Sequence, residues 1–295
     1  MDGDRDYQEL RPLLFSVAYR MVGSVSEAED IVQESFLRYH RAVGAGQRVD
    51  SPKSYLCTVA TRLSIDYLRS ARVRRETYVG TWLPEPLLAE QGPDVADQVV
   101  TADSLSLAFL VLLESLSPIE RAVFLLHDVF EFGYPEIAEI VGKTETNCRQ
   151  LANRARRHVT DRQPRFEASR QRRAQLADRF FAACQQGDLD GLVELLAADV
   201  VLYGDGGGKG EAVRAPVHGS LRVGRFLLGL MRQARHRSLT IRPAEVNGQP
   251  GAVVSEPSGQ VIGVLSLDIA GDRVQALRSM VNPDKLGHLQ PIIAG

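Results

Sequence analysis

Cysteine is scarce in this 295-residue chain: Cys57, Cys148 and Cys184 are three, odd in number and far apart. That excludes a disulfide framework and a clustered zinc site, and predicts a reducing, cytoplasmic setting. Lysine is nearly absent, at Lys53, Lys143, Lys209 and Lys285 only, so the positive charge is carried by arginine. There is one tryptophan. No apolar run approaches the roughly 18 residues of a membrane span. The opening "MDGDRDYQEL" is acidic and polar, unlike a secretory signal. With 44% hydrophobic and 24% charged residues, the composition is that of an ordinary soluble protein with room for two or three domains.

The formal net charge of -2 hides segregation. From Glu76 through Glu120 there are eight acids and no Lys or Arg; from Lys143 through Arg173 there are ten Lys/Arg and three acids, 10 − 3 = +7. A phosphate-binding surface kept apart from an acidic segment is implied.

Periodicity predicts three helices in the first 76 residues. The second is expected to start at Ser26, with Glu29 completing a capping box, and to bury Ala28, Ile31, Val32, Ser35, Phe36 and Tyr39. Its other face shows Glu27, Asp30, Gln33, Glu34 and Leu37. The third starts at Ser51–Pro52, with Tyr55, Leu56, Val59, Ala60, Leu63 and Tyr67 inward, and Thr58, Arg62, Ile65, Asp66, Arg69 and Arg72 on or near the other side. Residues 77–103 read as a linker, though Tyr78, Trp82 and Leu83 are apolar enough to predict packing. Helices resume near Ser104, with a second capping box at Ser117 and Glu120. From about Arg172 a helix pair, a strand, a helix and four β-like runs predict an α+β domain.

In "TETNCRQLANRARRH", Cys148, Leu151, Ala152, Ala155 and Val159 share one helical face, while Thr146, Arg149, Gln150, Asn153, Arg154 and Arg157 share the other. Alone, an arginine-rich face is often only solvated surface. A preceding short helix and the Gly142 turn make it a helix-turn-helix, whose second helix enters the major groove. There Arg bonds guanine edges, and Asn or Gln bonds adenine. Thr144 and Thr146 suit phosphate contacts.

"SEAEDIVQESFLRYH", "SPKSYLCTVATRLSIDYLRSARVRRE" and "LSPIERAVFLLHDVFEFGYPEIAEIVGKTETNCRQLANRARRH" together resemble regions two and four of the extracytoplasmic-function sigma factors, over roughly residues 7–160. The chain departs from the family at Arg62, where Asn is frequent, and at the "TETNC" opening. The resemblance implies that Asp30, Gln33, Glu34 and Leu37 dock on core RNA polymerase. It implies that Ser51, Lys53, Arg62, Asp66 and Arg69 bind the minus-ten element as it melts. Thr144, Thr146, Arg149, Gln150, Asn153, Arg154 and Arg157 would read the duplex minus-thirty-five element. The polymerase does the chemistry, so no enzyme activity, cofactor, metal or membrane partner is expected.

"YVGTWLPEP", "DGGGK" at 205–209 and "NPDKL" at 282–286 further resemble the marks of sigma factors with a fused SnoaL-like domain, a cone also seen in nuclear transport factor two. The implied fold is two all-α sigma domains, a helical bundle and a helix-turn-helix, plus an α+β cone. The expected boundaries are 1–76 for region two, 77–103 for the linker, 104–165 for region four and 172–295 for the cone. The cone is expected to tune activity in cis, through Trp82, Asp205, Asn282, Pro283, Asp284 and Lys285 against the linker or the sigma regions. A small ligand in the cone stays open. Asp205, His218 and Asp268 are the titratable groups available should the cone be catalytic, but such residues are more often structural. "DGGGK" lacks the Ser/Thr and setting of a phosphate loop. Two alternatives remain: a helix-turn-helix repressor with a sensor domain, and a SnoaL-type cyclase or isomerase with a DNA-binding appendage.

Overall fold

The structure, a computed structural model, describes residues 2–75, 78–89, 102–160 and 169–289. Part of the acidic stretch, at 76–77 and 90–101, lies outside the described residues, as do 161–168 of the basic block. The chain forms two compact units.

The first unit starts with α1 (Asp2–Val22), α2 (Val25–Gly44) and α3 (Pro52–Arg75), which pack on one another. The cap of α2 is Ser24, not Ser26: its hydroxyl accepts from the Glu27 N–H at 3.3 Å. Gly23, at φ 70°, stops α1 and leaves Ser24 extended, so α2 restarts before Ser26. On α3, Ser51 accepts from the Ser54 N–H at 3.2 Å, as expected of a cap. The buried stripe of α3 is wider and turned relative to expectation: Leu56, Cys57, Ala60, Thr61, Ser64, Ile65 and Leu68. Ile65 is therefore inside rather than outward. The reason is that α3 is covered by α1 and α2 and also by later helices of the same unit.

A 3₁₀ turn (Ala102–Leu105) leads to α4 (Leu107–Leu113) and α5 (Pro118–Phe124), which runs on as a π turn at Leu125–Val129. The Ser117–Glu120 capping box is formed. Then come α6 (Tyr134–Val141), Gly142 at φ 65°, and α7 (Glu145–Thr160). On α7, Cys148, Ala152, Ala155 and Val159 are buried as the periodicity predicts.

Two buried arginines bind these helices together. Arg20 on α1 donates to the Ser104 carbonyl at 3.2 Å and to Ser16, with Phe130 5.7 Å away. Arg121 on α5 donates to the Met21 carbonyl at the end of α1, to the Leu113 carbonyl at 3.0 Å and to Glu114 at 2.8 Å. It thus satisfies carbonyls that helix ends leave unpaired. Burial lowers Arg20 to about 10 and Arg121 to about 9.

In the second unit, α8 (Arg170–Gln186) and α9 (Leu189–Leu195) lead into β1 (Leu196–Asp205); β2 (Val217–His218), α10 (Ser220–His236), β3 (Thr240–Val246), β4 (Gln249–Ser255), β5 (Val261–Ala270) and β6 (Arg273–Met280) follow. All four expected β runs are strands; the two-residue β2 was not foreseen. The sheet order is β2-β1-β6-β5-β4-β3, antiparallel except for β1 beside β6. Phe180, Leu192, Val223, Leu267 and Leu277 anchor its core against the helices. Among the described residues, no helix is long and apolar enough to cross a membrane.

Candidate functional site

On α2, Asp30, Gln33 and Leu37 are exposed beside the half-buried Glu34, giving one continuous strip at helical spacing. Leu37 stands out as an apolar side chain 49% exposed, and Glu34 is paired with Arg38 at 2.7 Å.

Ser51, Lys53, Arg62, Asp66 and Arg69 are all exposed, and the last three fall on one face of α3. Asp66 pairs with Arg69 at 3.3 Å. Arg62 is engaged inside its own unit: it donates to the carbonyls of Glu139 and Ile140, both at 2.9 Å. These are C-terminal carbonyls of α6, where a cation is favoured. The ammonium of Lys53 lies 5.8 Å from the Phe132 ring. Two of the five expected minus-ten residues therefore face later segments of their own unit in this conformation, Arg62 at α6 and Lys53 just before it.

Thr144, Thr146, Arg149, Gln150, Asn153, Arg154 and Arg157 are all exposed along α7. The Thr144 hydroxyl caps the helix, accepting from the Asn147 N–H at 3.3 Å. Arg149 pairs with Glu145 at 3.1 Å and stands 5.2 Å from the Tyr134 ring. Arg154 pairs with Glu120. Burial alone would raise the Glu120 carboxyl, but Ser117 and Arg154 outweigh it and hold it below its usual value. Short side chains and solvated arginines thus line one face above a small-residue seam.

In the second unit, residues 78–89 are held by a clasp. The Asp205 carboxylate, fully buried at the end of β1, accepts from the Tyr78 hydroxyl, the Leu83 N–H at 2.8 Å, the Gly207 N–H at 3.1 Å and the Lys285 ammonium at 2.8 Å. Lys285 also donates to the Leu83 carbonyl and lies 4.4 Å from the Trp82 ring. Asn282 donates to the Tyr78 oxygen at 2.9 Å and caps the turn by accepting from the Asp284 N–H at 3.1 Å. Lys209 pairs with Asp284 at 2.6 Å, tying the two loops to each other. Burial first, then the bond to Asp205, pushes the Tyr78 phenol well above its usual range.

Gly207 of "DGGGK" and Gly210 just after it serve this packing. Gly207 is left-handed at φ 58°, and a Cβ there would strike the Asn282 amide; one on Gly210 would strike the Val281 carbonyl. The far end of the segment is fixed by Leu87 and Asn247, which exchange hydrogen bonds of 2.9 and 2.8 Å, and by His288 Nε2 donating to the Pro86 carbonyl at 2.8 Å. Of the six residues expected to make regulatory contacts, Trp82, Asp205, Asn282 and Lys285 meet directly, Asp284 joins through Lys209, and Pro283 supplies the exposed turn. Tyr78, Leu83, Asn247 and His288 were not among them. Only the apolar character of Tyr78 and Leu83 hinted at their part.

Asp205, His218 and Asp268 are not brought together. Asp205 serves the clasp, His218 is exposed on β2, and Asp268 is buried against Arg278 across β5 and β6. None lines the cavity of the cone. Among the described residues, no group of three or more His, Cys, Asp or Glu could hold a metal ion.

Residues 7–74 match the Sigma-70 region 2 family, residues 106–159 the Sigma-70 region 4 family, and residues 177–281 the SnoaL-like domain family. The chain is 40% identical over 292 residues to the ECF RNA polymerase sigma factor SigJ of Mycobacterium tuberculosis, covering 95% of this chain and 92% of SigJ. The chain belongs to the extracytoplasmic-function sigma factors. A second relative of this sigma factor, the probable ECF RNA polymerase sigma factor SigI of the same organism, is 35% identical over 97% of this chain and 95% of its own. The crystal structure of M. tuberculosis SigJ superposes with a TM-score of 0.76 at 36% identity, covering 96% of this chain and 98% of that one. This sigma factor is thus a transcription-initiation protein with a fused SnoaL-like domain. Its region 2 accounts for the first helical block, which a plain helix-turn-helix repressor does not need.

Proposed function

We propose that the chain binds core RNA polymerase, directs it to its promoters, and is tuned in cis by the clasp that its SnoaL-like domain places on residues 78–89. Asp30, Gln33, Glu34 and Leu37 dock on the polymerase; their exposure on one helix face supports this. Ser51, Lys53, Arg62, Asp66 and Arg69 take the melting minus-ten strand. The exposed face of α7 takes the minus-thirty-five duplex. The polymerase, not this chain, makes and breaks the bonds.

The single observation carrying the cis effect is the buried Asp205–Lys285 pair closed around Leu83. The clasped segment joins the two sigma regions in sequence, so holding it limits how far they can separate. Breaking one member of a buried pair costs about 3–5 kcal/mol, enough to free the segment while the cone's own core persists.

The test is run-off transcription with core polymerase and the full chain, beside Asp205→Ala and Lys285→Met. Promoter-specific transcripts should require the chain, and both variants should change their yield at equal occupancy of polymerase. No transcript above core polymerase alone would end the sigma role. Wild-type yields from both variants would end the cis effect and leave the sigma role standing.

A further inference from the structure

Between the sheet and helices α8 and α10, the SnoaL-like domain contains a cavity of about 460 Å3. At ~30 Å3 per water in the liquid, this is room for about 15 non-hydrogen atoms. Its wall is mostly hydrocarbon, including Phe180, Leu227, Met231, Ile241, Val254 and Leu265. Met231, Ile241, Val254 and Leu265 keep part of their surface uncovered, although Met231 and Leu265 pack against the domain core.

Among the described residues, the charged ones lining it are Lys209, Glu211 and Arg237, and all three are exposed at the rim. Two are already paired, Lys209 with Asp284 at 2.6 Å and Arg237 with Glu256 at 3.5 Å. The half-buried Ser279 supplies a hydroxyl. Protein interiors normally pack without voids of this size. Below that rim the apolar wall gives water few partners, and a charged guest seated against it would lose its hydration without compensation. The volume lies within the range of small-molecule sites.

The cavity also shares its wall with the clasp. Lys209 and Gly210 of one clasp loop, and Val281, Pro283 and Leu286 of the other, all line it. Those loops touch with no slack, since even a Cβ on Gly210 would overlap the Val281 carbonyl. A guest packed against them favours the one loop arrangement that holds Asp205, Asn282 and Lys285 on the linker.

We propose that this cavity receives an uncharged lipophilic small molecule of about 15 non-hydrogen atoms, and that its occupancy tightens the clasp on residues 78–89. The second half rests on the cis effect proposed above. A ligand that binds one state shifts the equilibrium toward it by its differential affinity.

The test uses the full chain and two probes. N-phenyl-1-naphthylamine, neutral and fluorescent in apolar sites, should bind saturably at one per chain and be displaced by 1-decanol. Val254→Phe, which fills the cavity, and Met231→Glu, which charges its wall from α10, should each weaken binding at least tenfold with the circular dichroism unchanged. Either folded variant suffices. Unsaturable probe fluorescence, or saturable binding untouched by the folded variant, would overturn the site.

Trp82 is the chain's one tryptophan and sits in the clasp, so acrylamide quenching of its emission reads clasp opening directly. Saturating 1-decanol, which is transparent where tryptophan absorbs, should lower the quenching constant about twofold. Binding without that change would overturn the coupling. Asp205→Ala without ligand serves as the separate control. If it leaves Trp82 quenching unchanged, the clasp itself fails, while the naphthylamine result still decides the cavity.

Discussion

The Arg62 guanidinium lies 2.9 Å from the Ile140 carbonyl, so in this conformation a residue expected on promoter DNA caps a helix of region 4. The same cation cannot serve the α6 terminus and a DNA strand at once. Replacing it by Ala should therefore remove about 1 kcal/mol of stability, or about 2–4 °C in midpoint, and also weaken binding of the single-stranded minus-ten element by the holoenzyme. Differential scanning calorimetry and strand-binding titrations measure the two effects. An unchanged melting midpoint would show that the capping bonds carry no weight.

Arg121 predicts a larger effect. Its replacement by Ala strands the Met21 and Leu113 carbonyls and the Glu114 carboxylate. The expected loss is about 3–5 kcal/mol in urea unfolding. Lys should rescue little, since one ammonium cannot copy a planar fork pointing in three directions.

Tyr78 gives the clasp a pH limit. Its folded-state pKa is raised above the ordinary 10.0 by burial and by Asp205, so the neutral phenol is the form the clasp prefers. That contribution is fully present below pH 10 and is lost as pH rises through the folded value. Trp82 quenching should therefore rise on the alkaline side, and Tyr78→Phe should abolish that transition while weakening the clasp by about 1–2 kcal/mol at neutral pH. An identical alkaline curve for the variant would assign the transition elsewhere.

On α7, Arg157 and Asn153 should separate by the kind of loss they cause. Arg157→Ala should lower holoenzyme affinity about equally for all minus-thirty-five sequences and reduce the salt slope by about 1. Asn153→Ala should relax preference at one base by about 1–3 kcal/mol. Titrations at several salt concentrations against a panel of single-base variants distinguish them.

Much of this was legible in the sequence because it is local. Ser51 and the Ser117–Glu120 box announce their helices through bonds three residues long. The small-residue stripe Cys148, Ala152 and Ala155 places the face of α7 by period alone. Ser24 was missed because Ser26 offers the same cap chemistry two residues later, and only the Gly23 backbone chooses between them. Ile65 departs from the one-faced period because α3 is packed from several sides. The partners of Asp205 are 122 residues away at Leu83 and 80 away at Lys285, and no periodicity connects them.

Because β1 and β6 run side by side in the same direction, Asp205 sits level with Met280, and the loops that follow each strand open at one edge. Leu83 leaves the ribosome 202 residues before Lys285. At ~5–20 residues per second, about 10–40 s pass before its partner is even synthesised. Every newborn copy thus spends an early period with both sigma regions made and the lysine that closes the clasp still unwritten.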